Sequence, residues 1–255
     1  MTQIVLPYDQ TPQSKQECVE SFSLYENLHN PQKGEPAIGM IKLGLESIYA
    51  ELYHGGQITT GAILMREKAK KIGLPVLWDA KVRDIGNTVK GAVTNIALSG
   101  ADWMTLDSTV SQSARRAAVA ARNRVAGNFG PMLSIFGVSI LTDIDDDECI
   151  RTYGAPVLEK VCYLAERLIE DGIDGIVCSG WELEELAKRG MAKELETLVP
   201  GLRSEWAPAN DQKRVMTPSM AAALGASFAV IGRQITDTAD PYASALRTKA
   251  EMAAA

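Results

Sequence analysis

Short apolar runs alternate along the chain with longer segments in which apolar residues recur at positions i, i+3 and i+4. The short runs are typical of buried β-strands, and the longer spacing is typical of helices that cover a sheet. The predicted strands are Ile4–Tyr8, Ala37–Ile41, Pro75–Trp78, Trp103–Leu106, Leu133–Leu141, Gly175–Cys178, Glu196–Val199 and Phe228–Ile231. The predicted helices are Ser14–Leu28, Thr59–Lys71, Thr88–Leu98, Gln112–Val125, Pro156–Asp171, Trp181–Arg189, Pro218–Leu224 and Pro241–Met252.

This alternation predicts an α/β fold with a parallel sheet. Eight strands, each with a following helix, fit a closed (β/α)8 TIM barrel better than an open sheet. The length of 255 residues suits one such barrel, and no linker or low-complexity segment suggests a boundary. We therefore expect residues 1–255 to form a single domain.

Composition narrows the classes of function. Hydrophobic residues make up 46% and charged residues 23% of the chain, as in ordinary globular proteins. The net charge of -6 argues against an extended nucleic-acid surface, although a few local cations can still hold a small anion. The chain has neither an apolar run long enough to span a membrane nor the features of a signal peptide, so we expect a cytoplasmic protein.

Cysteine and histidine contribute little recognisable chemistry. Cys18, Cys149, Cys162 and Cys178 show no metal-binding spacing, so we expect reduced and mostly buried thiols. The two histidines, His29 and His54, belong to no recognisable metal motif. Any proton chemistry should therefore depend on lysine and on aspartate or glutamate.

Polar side chains follow the predicted strands. They are Asp9, Lys42, Asp79, Lys81, Asp107, Thr142, Ser179, Arg203 and Arg233. Barrel enzymes build their active sites at the carboxyl ends of the strands, so these residues outline a candidate site. Loops are polar in any case, and this pattern alone favours an active site only modestly.

The strongest local signal is the spacing of Asp79, Lys81 and Asp84 after the third predicted strand. Residues i and i+2 of a strand point to the same side, so Asp79 and Lys81 can face one ligand. The alternative is that these are solvated loop charges that form weak surface pairs.

The segment Asp79-Ala80-Lys81-Val82-Arg83-Asp84-Ile85-Gly86-Asn87-Thr88 resembles the signature of the orotidine 5'-phosphate decarboxylase family. Other segments resemble the family in the same order, and they are Ile41–Glu46, Leu141–Thr142, Asp174–Ser179, Pro200–Arg203, Asp211–Pro218, Ile231–Arg233 and Ala239–Pro241. The resemblance implies decarboxylation of orotidine 5'-monophosphate to uridine 5'-monophosphate and CO2, the last step of de novo pyrimidine nucleotide synthesis. It also implies that no metal or organic cofactor takes part.

The resemblance further implies roles for single residues. Lys42, Asp79, Lys81 and Asp84 would form an alternating charge array. In that array Lys81 would stabilise and protonate the C6 carbanion, and Asp79 would stress the substrate carboxylate. Asp84 and Thr88 would come from the neighbouring subunit of a homodimer with shared active sites. The implied substrate-binding residues are Asp9, Lys42, Thr88, Thr142, Arg203, Gln212, Gly232 and Arg233, of which Gln212 and Arg233 would grip the phosphate.

Several positions depart from the family pattern. Leu6-Pro7-Tyr8 precedes Asp9 where the family usually has small residues, and Asp143 stands where a serine is common. An aspartate accepts a hydrogen bond but cannot donate one unless it is protonated. Arg83, Gly86, Asp107 and Gln234 replace the usual His, Pro, His and Pro.

Two other functions remain open. A magnesium-dependent sugar-phosphate decarboxylase or aldolase of the same wider group would share the barrel and the Asp-x-Lys-x-x-Asp motif. A protein that binds nucleotide phosphates without turnover would keep the pocket, and Asp143 would then be a sign of lost activity.

Overall fold

Eight parallel strands close into a barrel, which confirms the predicted α/β fold class. The computed structural model describes residues 1–9, 14–30, 32, 34–54, 57–207 and 216–255. The described strands are β1 (Gln3–Tyr8), β2 (Met40–Leu43), β3 (Glu51–His54), β4 (Gln57–Thr60), β5 (Val76–Val82), β6 (Trp103–Asp107), β7 (Ser134–Val138), β8 (Gly175–Val177), β9 (Glu196–Val199) and β10 (Phe228–Val230). Around the barrel the order is β1-β2-β5-β6-β7-β8-β9-β10, and β10 pairs with β1.

Helices follow the barrel strands and cover the outside of the sheet. The described helices are α1 (Lys15–Leu28), α2 (Leu45–Tyr49), α3 (Gly61–Lys71), α4 (Gly86–Ser99), α5 (Gln112–Phe129), α6 (Asp146–Tyr153), α7 (Val157–Asp171), α8 (Gly180–Lys188), α9 (Pro218–Ala223), α10 (Arg233–Thr236) and α11 (Pro241–Ala253). No helix of the described residues has the length and apolar character needed to cross a bilayer.

Five elements were missed by the sequence prediction or merged into others. Strands β3 and β4 form an antiparallel hairpin beside the barrel, so Thr59 and Thr60 belong to a strand and not to the start of helix α3. Thr60 is the N-cap of α3, and its side chain accepts a hydrogen bond from the backbone of Ile63. The other missed elements are the short helices α2, α6 and α10.

Several predicted strand limits were wrong because apolar residues also pack outside the sheet. The predicted strand Ala37–Ile41 starts only at Met40, since the backbone N–H of Ala37 instead donates to the carbonyl of Leu28 at the end of α1. Within the predicted strand Leu133–Leu141, the observed strand ends at Val138.

The lower half of the barrel interior is filled by apolar side chains from alternate strand positions. Its members are Val5, Met40, Leu77, Phe136, Leu198 and Phe228, with Trp103, Val177 and Val230 packed against them. The Phe228 ring lies edge-on to Trp103 at 5.8 Å and to Phe136 at 5.9 Å between centroids. This packed floor closes the barrel, as expected for a fold whose interior is a core and not a pore.

All four cysteines are buried and free of disulfides, as predicted. His29 lies near the end of α1 and hydrogen-bonds through Nδ1 with the carbonyl of Ile38. The side chain of His54 lies outside what the structure describes.

Candidate active site

The charged site is the next layer of the barrel interior above the apolar floor. Side chains two positions apart on a strand point the same way. The side chain of Lys42 therefore lies above that of Met40, and the side chain of Asp79 lies above that of Leu77, toward the carboxyl end of the barrel. Both lie inside strands and not, as predicted, just after them.

Asp79 is the centre of a cation–anion network. One of its carboxylate oxygens, Oδ2, lies 2.8 Å from Lys81 Nζ and 3.3 Å from Lys42 Nζ. Lys42 Nζ also lies 3.3 Å from Asp9 Oδ1. Three strands thus bring together four of the residues that the sequence singled out, in the order Asp9, Lys42, Asp79 and Lys81.

Burial and charge act against each other in this network. Burial alone would lower the pKa of Lys42, but attraction from Asp79 and Asp9 outweighs it and holds that pKa above its ordinary value. Burial would likewise raise the pKa of Asp79, but Lys42 and Lys81 hold that pKa below its usual range. A lone buried ammonium would tend to lose its proton, whereas these paired groups stay charged at neutral pH.

A bulge in β5 presents Lys81 to the network. Between Trp78 and Val82 the strand takes four residue steps to cover the two steps from Met104 to Leu106 on β6. Lys81 has a φ of +46°, the left-handed region that side chains other than glycine rarely adopt. Such backbone strain persists only where neighbours hold it, and it is common at functional sites.

Thr105 holds this bulge, and the sequence prediction did not identify it. Its hydroxyl donates to Asp79 Oδ1 at 2.8 Å and accepts from the backbone N–H of Lys81 at 2.9 Å. Thr105 is 1% exposed and lies two positions after Trp103, which packs against the barrel floor. The same alternation that places Asp79 above Leu77 could therefore have found it.

A cavity of about 230 Å³ opens beside the network. Lys42, Asp79 and Lys81 form its charged side, and its other lining residues are Val138, Ile140, Leu141, Thr142, Val177, Cys178, Leu198, Pro200 and Val230. A second cavity of about 330 Å³ shares Leu141, Thr142 and Pro200 with it, so the two adjoin. One polar side facing apolar walls is typical of small-molecule sites.

Cys178 is the thiol nearest to this chemistry. It lies in the cavity wall and is 2% exposed, and burial raises its pKa well above the ordinary value. The thiol therefore stays protonated and is a poor nucleophile.

Asp84 and Thr88 lie outside the network of their own chain. Both are exposed, and the carboxylate of Asp84 accepts only a local bond of 2.6 Å from the backbone N–H of Ile85 among the bonds of the described residues. Ile85, between them, is 71% exposed. These residues are thus available to a neighbouring molecule.

The residues predicted to bind phosphate lie at the ends of β9 and β10. Arg203 follows β9, and its buried Nε has no hydrogen-bond partner among the described residues. Gly232 and Arg233 follow β10, and a Cβ built on Gly232 would lie 3.2 Å from Pro7 Cγ. Gln212 lies outside the described residues.

Two other polar residues that follow predicted strands, Ser179 and Asp107, have local roles. Ser179 is the N-cap of α8, and its backbone N–H donates to Glu182 at 2.5 Å. Asp107 accepts from the backbone and the hydroxyl of Thr109 and lies 3.5 Å from Arg83 Nη1. The two positions where the family usually has histidines thus form an ion pair here.

Thr142 and Asp143 follow β7. Thr142 lines both cavities, and Asp143 is exposed in the adjacent turn.

Comparisons with known proteins identify relatives of the whole barrel. Residues 31–248 match the model of the orotidine 5'-phosphate decarboxylase / HUMPS family. An orotidine 5'-phosphate decarboxylase of Paramagnetospirillum magneticum is 36% identical over 239 residues, which cover 92% of this chain and 94% of that protein. One of Maridesulfovibrio salexigens is 38% identical over 216 residues, which cover 83% and 86% of the two chains.

A solved structure shares the fold. The orotidine 5'-phosphate decarboxylase from Lactobacillus acidophilus superimposes with a TM-score of 0.77 at 24% identity, and the match covers 99% of each chain.

Proposed function

Because the chain belongs to the orotidine 5'-phosphate decarboxylase / HUMPS family, we propose that it converts orotidine 5'-monophosphate to uridine 5'-monophosphate and CO2. The observation that carries this proposal is the Lys42–Asp79–Lys81 network at the wall of the cavity. The relatives that match most of the chain bear the name of this activity. The whole chain would act as one barrel domain.

Lys81 is the residue that we assign to the reacting carbon. Loss of the carboxylate leaves an electron pair on C6 of the pyrimidine, and a cation beside it stabilises that charge as it forms. The ammonium can then donate a proton to C6, which completes the product. Lys81 is 35% exposed, so its Nζ can leave Asp79 and reach a ligand in the cavity.

Asp79 and Lys42 would prepare the site for that step. Asp79 is buried and ionised, so a substrate carboxylate beside it is repelled, and the repulsion ends as CO2 leaves. Lys42 keeps Asp79 ionised and, with Asp9, would hold the ribose hydroxyls. These charges supply the electrostatic stabilisation within the protein, and we expect no metal or organic cofactor to be needed.

The remainder of the nucleotide would extend toward the ends of β9 and β10. Arg233 and Gln212 would grip the phosphate, with Arg203 nearby and with Gly232 allowing close backbone approach. Thr142 lies at the junction of the two cavities, where the pyrimidine would meet it. Phosphate binding far from C6 can raise the rate of the chemical step because its energy is used to close and order the site.

A homodimer would complete each active site. Asp84 and Thr88 are exposed beside Ile85, so all three side chains are accessible to a partner chain. Leu141, at the mouth of the cavity, is 46% exposed, and Trp181, at the start of α8, is 50% exposed. Asp84 from the partner would extend the array to Lys-Asp-Lys-Asp and reach a ribose hydroxyl.

The test is conversion of orotidine 5'-monophosphate with excess chelator present, followed by the change in ultraviolet absorbance. Turnover that survives the chelator supports the proposal. Turnover of a sugar phosphate only, and only after magnesium is added, would favour the magnesium-dependent function. Tight binding of uridine 5'-monophosphate without release of CO2 would favour a binding protein.

A further inference from the structure

Gln234 is a buried polar residue for which the proposed chemistry has no use. It is the second residue of α10, next to Arg233, and is 4% exposed. Its Oε1 accepts from the backbone N–H of Ser204 at 2.8 Å. Its Nε2 donates to Ser204 Oγ at 3.0 Å and to Thr248 Oγ1 at 2.9 Å. Hydrogen bonds of a buried side-chain amide are costly to break, because the buried donors and acceptors are then left with no partner, not even water.

These bonds join the two loops that carry the arginines of the phosphate end. Ser204 follows Arg203 directly on the loop after β9, and Gln234 follows Arg233 directly after β10. Both polar atoms of the Gln234 amide contact Ser204: Oε1 accepts from its backbone N–H and Nε2 donates to its hydroxyl, so this one residue is held at two points. This side chain therefore ties the residue after Arg203 to the residue after Arg233.

The contact between Gln234 and Ser204, called the joint below, is bonded to the C-terminal helix α11. Ser204 Oγ donates to Glu251 on α11 at 2.5 Å, and the same carboxylate oxygen accepts from Trp206 Nε1 at 3.2 Å. The guanidinium of Arg247 lies 4.4 Å from the centre of the Trp206 ring. A network in which each group has a partner is rigid, so α11 supports the joint from behind.

We propose that Gln234 is a positioning residue that sets the distance between Arg203 and Arg233 and thereby the strength with which the site holds a phosphate monoester. The inference rests on the proposed function, because it takes Arg233 as a phosphate ligand and Arg203 as the cation near it. The family usually has proline at this position, and a proline side chain has no donor or acceptor with which to make these bonds.

The experiment compares ligands with and without the phosphate. Dissociation constants of uridine 5'-monophosphate and of uridine are measured by calorimetry for the wild type and for Gln234→Met, which keeps the length of the side chain but makes no bond to Ser204. We expect uridine 5'-monophosphate to bind about 10-fold more weakly or worse, and uridine to change by less than about twofold. The KM for orotidine 5'-monophosphate should rise more than kcat falls.

Two further variants separate positioning from folding. Ser204→Ala removes the bond from Gln234 Nε2 and the bond to Glu251 but keeps the backbone bond to Gln234 Oε1, and it should give an intermediate loss for the phosphorylated ligand alone. Thr248→Val removes the bond from Gln234 Nε2 to Thr248 and the bond that Thr248 donates to the carbonyl of Ser244, but it keeps both bonds to Ser204, so it should bind both ligands nearly as the wild type does. Equal weakening of both ligands in Gln234→Met and Ser204→Ala, or no weakening in either variant, would overturn the inference.

These outcomes are independent of turnover. A wild-type protein that binds uridine 5'-monophosphate but releases no CO2 would refute the proposed reaction and still allow Gln234 to be tested. A fully active wild type whose Gln234→Met variant keeps the same ratio of the two affinities would refute the inference alone.

Discussion

Replacement of Thr105 by valine tests how the barrel holds its central carboxylate. Valine has nearly the same shape as threonine but has no hydroxyl. The change removes the 2.8 Å bond to Asp79 Oδ1 and the 2.9 Å acceptor of the Lys81 N–H. Lys81 then loses the contact that holds its strained backbone, with φ at +46°, in the bulge of β5.

The expected magnitude follows from the kind of bond that is lost. A hydrogen bond to a charged group contributes about 1.5–3 kcal/mol, and the site is buried, so water cannot replace the hydroxyl freely. If Asp79 and Lys81 must keep their geometry in the transition state, this loss lowers kcat/KM by roughly 10- to 150-fold. Without the hydroxyl as a donor, the pKa of Asp79 should also rise.

The assay is the initial rate of decarboxylation of orotidine 5'-monophosphate at neutral pH, beside two controls. Thr105→Ser keeps the hydroxyl and should recover most of the rate. Thr197→Val is a matched change, because Thr197 is another fully buried threonine of a barrel strand whose Oγ1 accepts from the backbone N–H of Ser227, in the turn before β10. It should lower stability without a comparable loss of rate.

The reasoning would be wrong if Thr105→Val kept a rate within about twofold of that of Thr197→Val. It would also be wrong if Thr105→Ser were as slow as Thr105→Val, because the methyl group and not the hydroxyl would then matter.

Three further predictions concern charge, assembly and packing. Because the folded pKa of Asp79 lies below its unfolded value of about 3.9, its ionisation contributes stability above that value and loses it as the pH falls through the folded pKa. The difference in unfolding free energy between wild type and Asp79→Asn, measured in urea, should therefore be constant down to about pH 5 and should decrease at pH values below about 4. A difference that stays constant down to about pH 2 would contradict this prediction. Mixing inactive Lys81→Ala with inactive Asp84→Asn should restore about a quarter of the wild-type rate if sites are shared in a dimer, whereas no recovery after subunit exchange would place Asp84 in its own chain's site. Gly175→Ala should lower the unfolding free energy by about 1–3 kcal/mol, because the added Cβ would lie 2.3 Å from Phe136 Cε1 and 2.6 Å from the carbonyl oxygen of Glu196. In the control Gly127→Ala, the added Cβ meets no packed neighbour within 4 Å, so the unfolding free energy should not fall. Equal thermal denaturation of the two variants would contradict the packing argument.

The alternation of the strands made much of the site predictable. Lys42 and Asp79 belong to strands whose preceding inward residues are apolar, so their position above the barrel floor follows from a period of two. Thr105 follows the same rule, but the prediction took the polar residue after the strand, Asp107, and passed over a threonine that a β-strand accommodates anyway.

Other features depend on contacts that no local pattern encodes. The bulge in β5 depends on pairing with β6, and the joint at Gln234 links residues 30 positions apart in the chain. The hairpin of β3 and β4 was hidden because Thr59 and Thr60 also fit the start of a helix, although Gly55-Gly56 between the strands is a turn signal. Asp84 illustrates a different limit, because a single chain does not contain the partner that it would reach.

The central claim is that Lys81 stabilises the negative charge that forms on C6 as CO2 leaves, and release of CO2 from carboxyl-labelled orotidine 5'-monophosphate tests it most directly. Wild type should release label with excess chelator present. Lys81→Ala should bind uridine 5'-monophosphate and keep its fold, yet lose at least about 100-fold in the single-turnover rate. Rapid release by Lys81→Ala, or none by a well-folded wild type, would contradict the account.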